Sequence, residues 1–534
     1  MGLQGSWNLS AAATVAPDVR ATLSAPSPAP RRRAVSGGRG LLGAMVAALA
    51  LAALLPLLGL AWFALVGGGE GSLALGAAGR EQLLNTLVLV VAVGLGAAVL
   101  GTANGWLTAA CSFPGRRWLA MAQLLPLATP TYLLAATLVD LGSRSGHQVR
   151  GLGWAVLVLT LGTYSYVYLL SSESFARRGR RLLEAARSLG AGPWQGFRRV
   201  ALPLALPSIG AGIALTGMEV VNELGAVDLL GVPTLSRGIL ERWQNDGDPR
   251  GAVALALLAL ALVSLLVGLE RQLRRRSRRW PGGSGGPMAP WPLQGRRALA
   301  AQVLTGLPPL LSLGTPLTWA ALTWGGEPGD SAAELLALGL RSFGLALLAA
   351  LITVAAGLLL AIAGRWIRQP LVQRITFLAG MGYAVPGTVL ALALMLLGGP
   401  LGLAPLLLLV WGYGDRFLAV AKGGLDAGLE QLPPSLDEAA TSLGCGWLQV
   451  LRRVHLPLLR GPIVVGGLLV FVDTVKELPL TFALRPFDFD TLSVRVYQYA
   501  GDERLGAALV PALIILLLGL LAALALVPSL ERRG

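Results

Sequence analysis

The chain reads Glu184-Ala185-Ala186-Arg187-Ser188-Leu189-Gly190 and, 254 residues later, Glu438-Ala439-Ala440-Thr441-Ser442-Leu443-Gly444. The same offset relates three further pairs of segments: Arg198-Arg199-Val200 and Arg452-Arg453-Val454, Leu202-Pro203 and Leu456-Pro457, and Asn222-Glu223-Leu224 and Lys476-Glu477-Leu478. Looser matches at an offset of 257 pair Asn85 with Ser342, and Thr234-Leu235-Ser236 with Thr491-Leu492-Ser493. Self-similarity at a fixed offset indicates an internal duplication, so the chain is predicted to contain two copies of one structural unit.

The composition indicates a protein that crosses a membrane several times. Of 534 residues, 54% are hydrophobic, 13% are charged and a further 70 are glycine. A soluble domain carries about 25% charged residues, and a soluble globule of this size could not bury so much apolar surface. The composition also excludes a secreted disulfide scaffold, a coiled coil and a disordered chain.

Apolar stretches long enough to cross a bilayer recur along the chain. Twelve spans are predicted, at residues 41–66, 83–109, 118–141, 152–173, 204–228, 251–269, 299–324, 334–363, 374–398, 402–421, 461–484 and 505–528. Each copy holds six spans, and copies with the same loop placement keep the same orientation in the membrane. The predicted fold is therefore an all-α polytopic membrane protein, with about twelve transmembrane helices in two parallel six-helix repeats.

Basic residues are distributed unevenly between the two sides of these spans. With the N-terminus inside and the sides alternating, the inner segments carry 31 Lys and Arg and the outer segments carry 9. Because basic residues accumulate on cytoplasmic loops, both termini are predicted to be cytoplasmic. The net charge of +15 is then explained by loops that face membrane lipid. No basic run is interleaved with aromatic residues, so nucleic acid is not an expected partner.

Composition divides the chain into four parts. Residues 1–40 are rich in Ala, Pro and Ser and are predicted to form a disordered cytoplasmic tail. Residues 41–270 form the first repeat and residues 299–534 the second. Between them, residues 271–298 carry eight arginines and the run Pro281-Gly282-Gly283-Ser284-Gly285-Gly286-Pro287, which predicts a flexible, basic cytoplasmic linker beside the inner leaflet.

The repeated block lies on the inner side, between the fourth and fifth spans of each copy. Its pattern predicts a short helix, a stop and a return to the membrane. In the second copy, Ser435 with Glu438 matches a capping box at the helix start. Gly190 and Gly444 suit a left-handed helix stop, and the prolines at 203 and 457 suit the first turn of the next span.

This block resembles the cytoplasmic loop of the permease subunits of type I ABC importers, in which Glu-Ala-Ala is followed after three residues by Gly. The resemblance implies the type I permease fold and a short helix that docks in a groove of an ABC ATPase homodimer on the cytoplasmic side. It assigns ATPase docking to Glu184, Ala185, Ala186, Gly190, Glu438, Ala439, Ala440 and Gly444. An amphipathic helix that only lies on the inner leaflet is the alternative.

The chain itself is not expected to be an enzyme or to hold a metal. A P-loop needs Gly-Lys followed by Ser or Thr, and the two lysines, Lys422 and Lys476, are followed by Gly and Glu. ATP is therefore expected to be used by a separate ATPase subunit, and no cofactor is expected in this chain. The two cysteines and two histidines are too scattered for a Cys/His metal centre.

Polar side chains inside the fifth and eleventh spans are the candidates for a translocation path. They occupy equivalent positions in the two copies: Glu219, Asn222 and Glu223, and Asp473, Lys476 and Glu477. Each charge at bilayer depth costs about 2.5–3.5 kcal/mol on insertion scales, so such residues commonly face a water-filled path or a partner. Two interpretations stay open: an acidic lining that tolerates a passing cation, or a structural network in which Lys476 pairs with Asp473 or a neighbouring acid.

The cargo is suggested by a finer resemblance. The stretches Val472-Asp473-Thr474-Val475-Lys476-Glu477-Leu478-Pro479 and Leu484-Arg485-Pro486-Phe487-Asp488-Phe489-Asp490-Thr491-Leu492 resemble the fused ferric-iron permeases of bacterial ABC importers, within the binding-protein-dependent inner-membrane component family. This implies a subunit of the bacterial inner membrane that translocates ferric iron delivered by an extracytoplasmic binding protein. A related fused group carries thiamine, which is the alternative cargo. An ion-driven secondary transporter, which also uses repeats, is the alternative from another class.

Overall fold

Helices make up most of the described chain. The computed structural model describes residues 32–66, 75–177, 180–278, 290–326, 329–367, 369–379 and 385–531. The α-helices are Arg32–Val66, Gly76–Ala110, Arg116–Ala122, Leu125–Ala128, Thr131–Arg144, Leu152–Arg177, Arg180–Ser188, Pro193–Gly196, Leu202–Asn222, Gly225–Leu229, Leu235–Leu240, Pro249–Arg278, Arg296–Pro309, Thr315–Thr323, Ala332–Trp366, Pro370–Ala379, Gly387–Gly398, Pro405–Glu430, Ser435–Ser442, Trp447–Val450, Leu456–Val475, Pro479–Leu484, Leu492–Gly501 and Leu509–Glu531. A two-residue parallel pairing joins Cys111–Ser112 to Trp291–Pro292. Of the predicted tail, residues 1–31 lie outside the described residues, and so do residues 279–289 of the predicted linker.

Each of the twelve predicted spans has a helical counterpart. Within the described ranges, eight helices are long and apolar enough to cross a membrane: Gly40–Val66, Gly76–Ala110, Leu152–Ala176, Pro193–Asn222, Pro249–Arg276, Arg296–Thr323, Ala332–Trp366 and Trp447–Val475. The helices Arg116–Ala128 and Thr131–Arg144 together are also long and apolar enough for one span, but they are bent by 89° at the break between them, as in a broken span or a re-entrant loop. The shorter apolar helices Gly387–Gly398 and Leu509–Leu521, and the charged helix Pro405–Glu430, occupy the other three predicted spans. The all-α polytopic fold is confirmed.

Two spans end earlier than the sequence predicts. The fifth span stops at Asn222 and the eleventh at Val475, and each is followed by a short separate helix, Gly225–Leu229 or Pro479–Leu484. The predicted spans, which end at residues 228 and 484, therefore include a break between two helices. An apolar pattern alone does not show a break of this kind, because both helices on either side of it are apolar.

Both of these spans begin with a π-helical turn. Phe197–Ala201 and Leu451–His455 are equivalent at the offset of 254. Pro203 and Pro457 follow two residues later and lack an N–H group, so the carbonyl four residues before each has no ordinary α-helical donor. The proline repeated in both copies therefore accounts for the position of the π-helical turn. Single π-helical turns commonly occur where the regular hydrogen bonding of a helix is interrupted.

The looser part of the duplication is shifted by one residue from the predicted match. The backbone N–H of Leu235 donates to Thr86 Oγ1 over 3.0 Å, and that of Leu492 donates to Ser342 Oγ over 2.8 Å. Thr86 is therefore the structural equivalent of Ser342, and the predicted pairing of Asn85 with Ser342 is wrong. Asn85 instead donates from Nδ2 to a backbone carbonyl, that of Pro233.

One hydrophobic core joins the two copies. Ala252, Leu255 and Ala256, on the last helix of the first copy, belong to the same buried cluster as Val389 and Leu390 of Gly387–Gly398 in the second. All five side chains are fully buried, and burying a Val or Leu side chain contributes about 1.5–3 kcal/mol. The copies are thus packed against each other beside the breaks in the fifth and eleventh spans.

Candidate functional site

A cavity of about 120 Å³, lined by charged, polar and apolar side chains, lies between the two copies, and we call it the central cavity. Its lining includes all six polar residues identified in the sequence as candidates for a path: Glu219, Asn222, Glu223, Asp473, Lys476 and Glu477. The bend of the third span also lines it, with Pro130 and Thr131. Residues 254 apart in the chain therefore meet at one place.

Two of the four carboxylates in the cavity hold helix starts. Glu223 Oε1 accepts a hydrogen bond from the N–H of Ala226 over 3.0 Å. Glu477 accepts from the N–H groups of Leu480 and Thr481, over 2.8 and 2.9 Å. The first N–H groups of a helix have no partner within it, and a carboxylate satisfies them. For these two residues, the contacts fit the structural-network interpretation.

The other two carboxylates, Glu219 and Asp473, are equivalent at the offset of 254 and contact side chains. Glu219 Oε1 accepts a hydrogen bond from the hydroxyl of Tyr166 over 3.0 Å. Asp473 Oδ1 lies 2.9 Å from the ammonium nitrogen of Lys476, and both side chains are partly exposed to the cavity. A side-chain partner can rotate away, whereas a backbone partner cannot. Glu219 and Asp473 are therefore the two carboxylates of the cavity that make these contacts with side chains rather than with backbone groups.

Two residues make polar contacts across the cavity from one copy to the other. Asn222 Oδ1, in the first copy, accepts from the N–H of Gly387 over 2.7 Å and from Arg416 Nη1 over 3.0 Å, both in the second. Lys476 Nζ, in the second copy, donates to the carbonyl of Leu127 over 2.9 Å, in the first. Each residue reaches the opposite copy, so these hydrogen bonds of Asn222 and Lys476, which we call the cross-copy contacts, tie the halves together at the cavity.

The lining of the central cavity carries an excess of negative charge. Four carboxylates face one ammonium and one guanidinium, those of Lys476 and Arg416. An enclosed site with one predominant sign of charge concentrates ions of the opposite sign. In the part of the chain that the structure describes, no group of three or more His, Cys, Asp or Glu side chains is arranged to hold a metal ion. The cavity can attract a cation without forming a tight cage around it.

The repeated loops, residues 184–190 and 438–444, have the same backbone shape. Gly190 and Gly444 have φ angles of +83° and +82°. In both, two hydrogen bonds close the helix end: Gly190 N to Arg187 O at 2.9 Å and Ala191 N to Ala186 O at 3.0 Å, and Gly444 N to Thr441 O at 2.9 Å and Cys445 N to Ala440 O at 3.0 Å. Such a left-handed stop favours glycine.

The predicted capping box of the second loop is wrong. Pro434 is the N-cap residue in a helical conformation, and no side chain caps the helix Ser435–Ser442. The helix begins one residue earlier than the capping-box pattern requires, so Ser435 lies within its first turn. The backbone N–H groups of Asp437 and Glu438 bond instead to the carbonyl of Pro434.

Both repeated loops expose large apolar side chains at equivalent positions. Leu189 and Leu443 are 88% and 85% exposed. Trp194 and Leu448, which follow five residues later in each copy, are 68% and 42% exposed. Apolar groups left uncovered at matched positions are typical of a surface that another protein covers.

Comparison with known proteins identifies the repeated unit. The family model for the binding-protein-dependent transport system inner membrane component matches residues 101–279 and, a second time, residues 353–533. The chain belongs to this family. The first match lies almost wholly in the first copy and the second lies within the second copy, so the duplication in the sequence is a duplication of the family's unit. The permease is a multi-pass inner-membrane protein.

Several relatives have names that state a cargo. The permease is 28% identical to the Fe(3+)-transport system permease protein FbpB 2 of Haemophilus influenzae over 448 residues, 82% of this chain and 87% of that protein. It is 29% identical to the molybdenum transport system permease protein ModB of Escherichia coli over 33% of this chain and 85% of that protein. It is 32% identical to the sulfate transport system permease protein CysT of Synechocystis, over 36% of this chain and 73% of that protein.

The two repeated loops of the permease are anchored differently. In the first, Leu183 is buried, and the ring of Trp291 packs against Trp106, with centroids 5.5 Å apart, and under the guanidinium of Arg187. In the second, the residue equivalent to Leu183 is Asp437, which forms an ion pair with Arg365 and a hydrogen bond with Nε2 of His455 over 2.7 Å. Loops of one shape thus rest on an aromatic cluster in one copy and on charged groups in the other.

Three cavity residues of the permease were missed in the sequence. Arg416 lies inside the predicted tenth span, so the rule that singled out charges in the fifth and eleventh spans also applies to it. Tyr166 contacts Glu219, and Thr131 donates from Oγ1 to Glu223 over 2.6 Å. No pattern in the sequence marks these last two, because uncharged hydroxyl groups are common in transmembrane helices.

Proposed function

We propose that this permease is the membrane-spanning subunit of an ATP-driven importer, with both termini and both repeated loops in the cytoplasm. The observation that carries the proposal is the duplication of one exposed loop: Gly190 and Gly444 give the same stop, and Leu189 and Leu443 are uncovered to the same extent. An ABC ATPase homodimer presents two identical grooves, and two loops of one shape fit them. A helix that only rests on lipid needs no such match.

Each residue of the repeated loops has a distinct part in the proposed docking. Ala185 and Ala439 are exposed, and their small side chains let a groove approach the helix backbone. Ala186 and Ala440 supply the carbonyls that close the stop. Glu184 and Glu438 are the first residues of the motif and lie on the helix. Gly190 and Gly444 are its last residues and form the left-handed stop that ends the helix. ATP is bound and hydrolysed by the partner, and closure of the ATPase pair moves the two copies through these loops.

The two native cysteines provide a direct test of docking. Cys445 follows Gly444 in the second loop and is partly exposed, whereas Cys111 is buried, which raises the pKa of its thiol to about 11. Only a thiolate reacts with maleimide, so at pH 7.5 the reagent labels Cys445 and leaves Cys111 unmodified. Adding the ATPase subunit is expected to slow labelling of Cys445 at least about tenfold.

The controls decide between docking and other causes of protection. A Cys445→Ser variant abolishes labelling if the assignment of the reactive thiol is right. Equal labelling rates with and without the ATPase subunit contradict docking at this loop. Cargo accumulation in vesicles that hold the permease, an ion gradient and no ATPase would overturn the whole proposal in favour of an ion-driven transporter.

Opening of the path follows from the cross-copy contacts. When the ATPase pair moves the copies apart, the bonds from Asn222 to Gly387 and from Lys476 to Leu127 break, since each joins one copy to the other. Breaking them opens the small central cavity. Glu223 and Glu477 stay bonded to their own helix starts, so the walls of the path keep their shape while it opens.

The proposed cargo is ferric iron, delivered by an extracytoplasmic binding protein. Two observations support it: the acidic excess of the central cavity, which suits a cation better than an oxyanion, and the similarity to FbpB 2 over 82% of the chain. Ferric iron is a hard cation that prefers oxygen ligands. Glu219 and Asp473 offer carboxylate oxygens from opposite copies, and their contact with the ion is brief because neither copy supplies a complete ligand set.

Uptake in a deletion strain tests the cargo. Radioactive ferric iron, labelled thiamine and labelled molybdate are offered in separate arms to cells that express the permease with its ATPase and binding protein. Iron uptake is expected to depend on the permease, and replacing the two carboxylates that contact side chains (Glu219→Gln with Asp473→Asn) is expected to reduce it at least about tenfold. Uptake of thiamine or molybdate in place of iron refutes the cargo and leaves the ATP-driven mechanism standing.

A further inference from the structure

A second cleft, of about 850 Å³, opens on the first copy and shares no lining residue with the central cavity. The turn that follows the helix Gly76–Ala110, the helix Arg116–Ala122 and the end of the helix Leu152–Arg177 form its walls. Its lining includes the guanidinium groups of Arg116 and Arg117 together with an apolar wall of Met121, Leu124 and Leu169. The cleft is therefore amphipathic.

Arg116 is held in place at this cleft. Its Nε donates to the carbonyl of Thr108 over 2.6 Å, and its Nη2 donates to that of Ala109 over 3.5 Å. These are among the last carbonyls of the helix Gly76–Ala110, which lack partners within it. A guanidinium has five N–H donors, so a group fixed by two of them keeps donors for an anion. Arg116 is thus positioned before any ligand arrives.

The charges and the position of the cleft identify the ligand class. Among the described residues that line it there are two guanidiniums and no carboxylate. Trp118, which also lines it, is 76% exposed, as is typical of tryptophan at the boundary between the membrane and water. On the same helix as Thr108, Trp106 packs against Phe197 and Trp291 beside the first repeated loop. The cleft therefore lies at the loop end of the spans, which is the inner leaflet if the proposed function is right.

The pair of arginines is not part of the duplicated machinery. An offset of 256 relates Pro114 to Pro370 and Pro130 to Pro386, and it places Val372 and Gln373 where the first copy has Arg116 and Arg117. A feature required for moving cargo between two equivalent halves would be expected in both. A feature present in one half alone indicates a separate ligand.

We propose that this cleft binds an anionic phospholipid of the inner leaflet. Arg116 and Arg117 hold the headgroup phosphate, and the acyl chains lie along Met121, Leu124 and Leu169. Basic clefts between helices on the cytoplasmic side suit such headgroups. A free phosphate ion would gain the arginine contacts but would leave the apolar wall uncovered, so the lipid is the ligand that uses the whole cleft.

The test is native mass spectrometry of the delipidated permease, titrated with phosphatidylglycerol, with phosphatidylcholine or with inorganic phosphate. The variant Arg116→Gln/Arg117→Gln is compared with Arg275→Gln/Arg276→Gln, which removes two adjacent exposed arginines of the helix Pro249–Arg278, outside the cleft. The first variant is expected to bind phosphatidylglycerol about 30-fold more weakly, and the control to bind it within about twofold of the wild type.

Two further variants keep the result interpretable. Arg117→Gln alone preserves the hydrogen bonds of Arg116 to the helix end, so its expected loss of about fivefold does not depend on a change in fold. Arg116→Lys/Arg117→Lys retains the charge and is expected to recover most of the binding. Equal affinity for phosphatidylcholine, inorganic phosphate that displaces the lipid stoichiometrically, or an equal loss in the control variant would each overturn the proposal. None of these outcomes bears on ATPase docking or on cargo.

Discussion

Replacing Leu443 by Ala tests the docking surface most directly. The side chain is 85% exposed in the permease alone, so its removal takes little from the fold. In the proposed complex it enters the ATPase groove and loses contact with water. Burial contributes about 0.8 kcal/mol per CH₂ group, and Leu→Ala removes three carbons. The expected loss is about 2 kcal/mol, which is a Kd for the ATPase subunit about 30-fold higher.

The assay measures binding of the ATPase subunit to the permease in nanodiscs by surface plasmon resonance. Leu189→Ala, the equivalent change in the first loop, is expected to have the same effect. The two loops lie in different copies, and effects of distant sites add, so the double variant is expected to bind about 1,000-fold more weakly. The thermal unfolding midpoint of each variant is expected to stay at the wild-type value, since exposed substitutions change stability by less than about 0.5 kcal/mol.

Leu401→Ala is the matched control. Leu401 is 67% exposed, in the turn between the helices Gly387–Gly398 and Pro405–Glu430, at the opposite end of the spans from the loops. It is expected to leave the Kd unchanged. The reasoning is refuted if Leu443→Ala binds the ATPase subunit as tightly as the wild type, or if Leu401→Ala weakens binding to the same degree.

Three further predictions concern the loops and the cavity. Gly444→Trp is expected to abolish transport while the protein stays in the membrane, because φ is +82° there and open space surrounds the residue on the docking face; wild-type uptake, with normal amounts on a membrane immunoblot, contradicts it. Lys476→Met removes a cross-copy contact and leaves Asp473 without its partner, so ATP hydrolysis in proteoliposomes is expected to continue with little cargo uptake; hydrolysis and uptake that fall in parallel argue against this. Glu477→Ala leaves two buried N–H groups unsatisfied, at about 1–3 kcal/mol each, and the unfolding midpoint is expected to fall, whereas an unchanged midpoint shows that water replaces the cap.

The sequence predicted the local features of this permease and missed those that depend on distant contacts. The glycine stops of the repeated loops follow from short-range spacing, and Gly190 and Gly444 have the left-handed φ that such a stop requires. The break after Asn222 was not predicted, since the partner of this residue, Gly387, is 165 positions away. Trp291 stands in a stretch predicted to be a linker, yet its ring is buried against the first loop. Burial of this kind is decided by packing rather than by neighbours in the chain.

Because the two copies are fused in one chain, their residues at the central cavity can differ while their repeated loops keep the same shape. Asn222 and Lys476 occupy equivalent positions and both reach the opposite copy, but only one of them carries a charge. Two identical subunits would place either two lysines or two asparagines there. Two lysines would remove half of the acidic excess of the lining, and two asparagines would leave Asp473 without its ion pair. A single chain keeps the acidic excess of the lining and a cross-copy contact in each direction. In the proposed function, the two loops of equal shape still dock on two identical ATPase subunits.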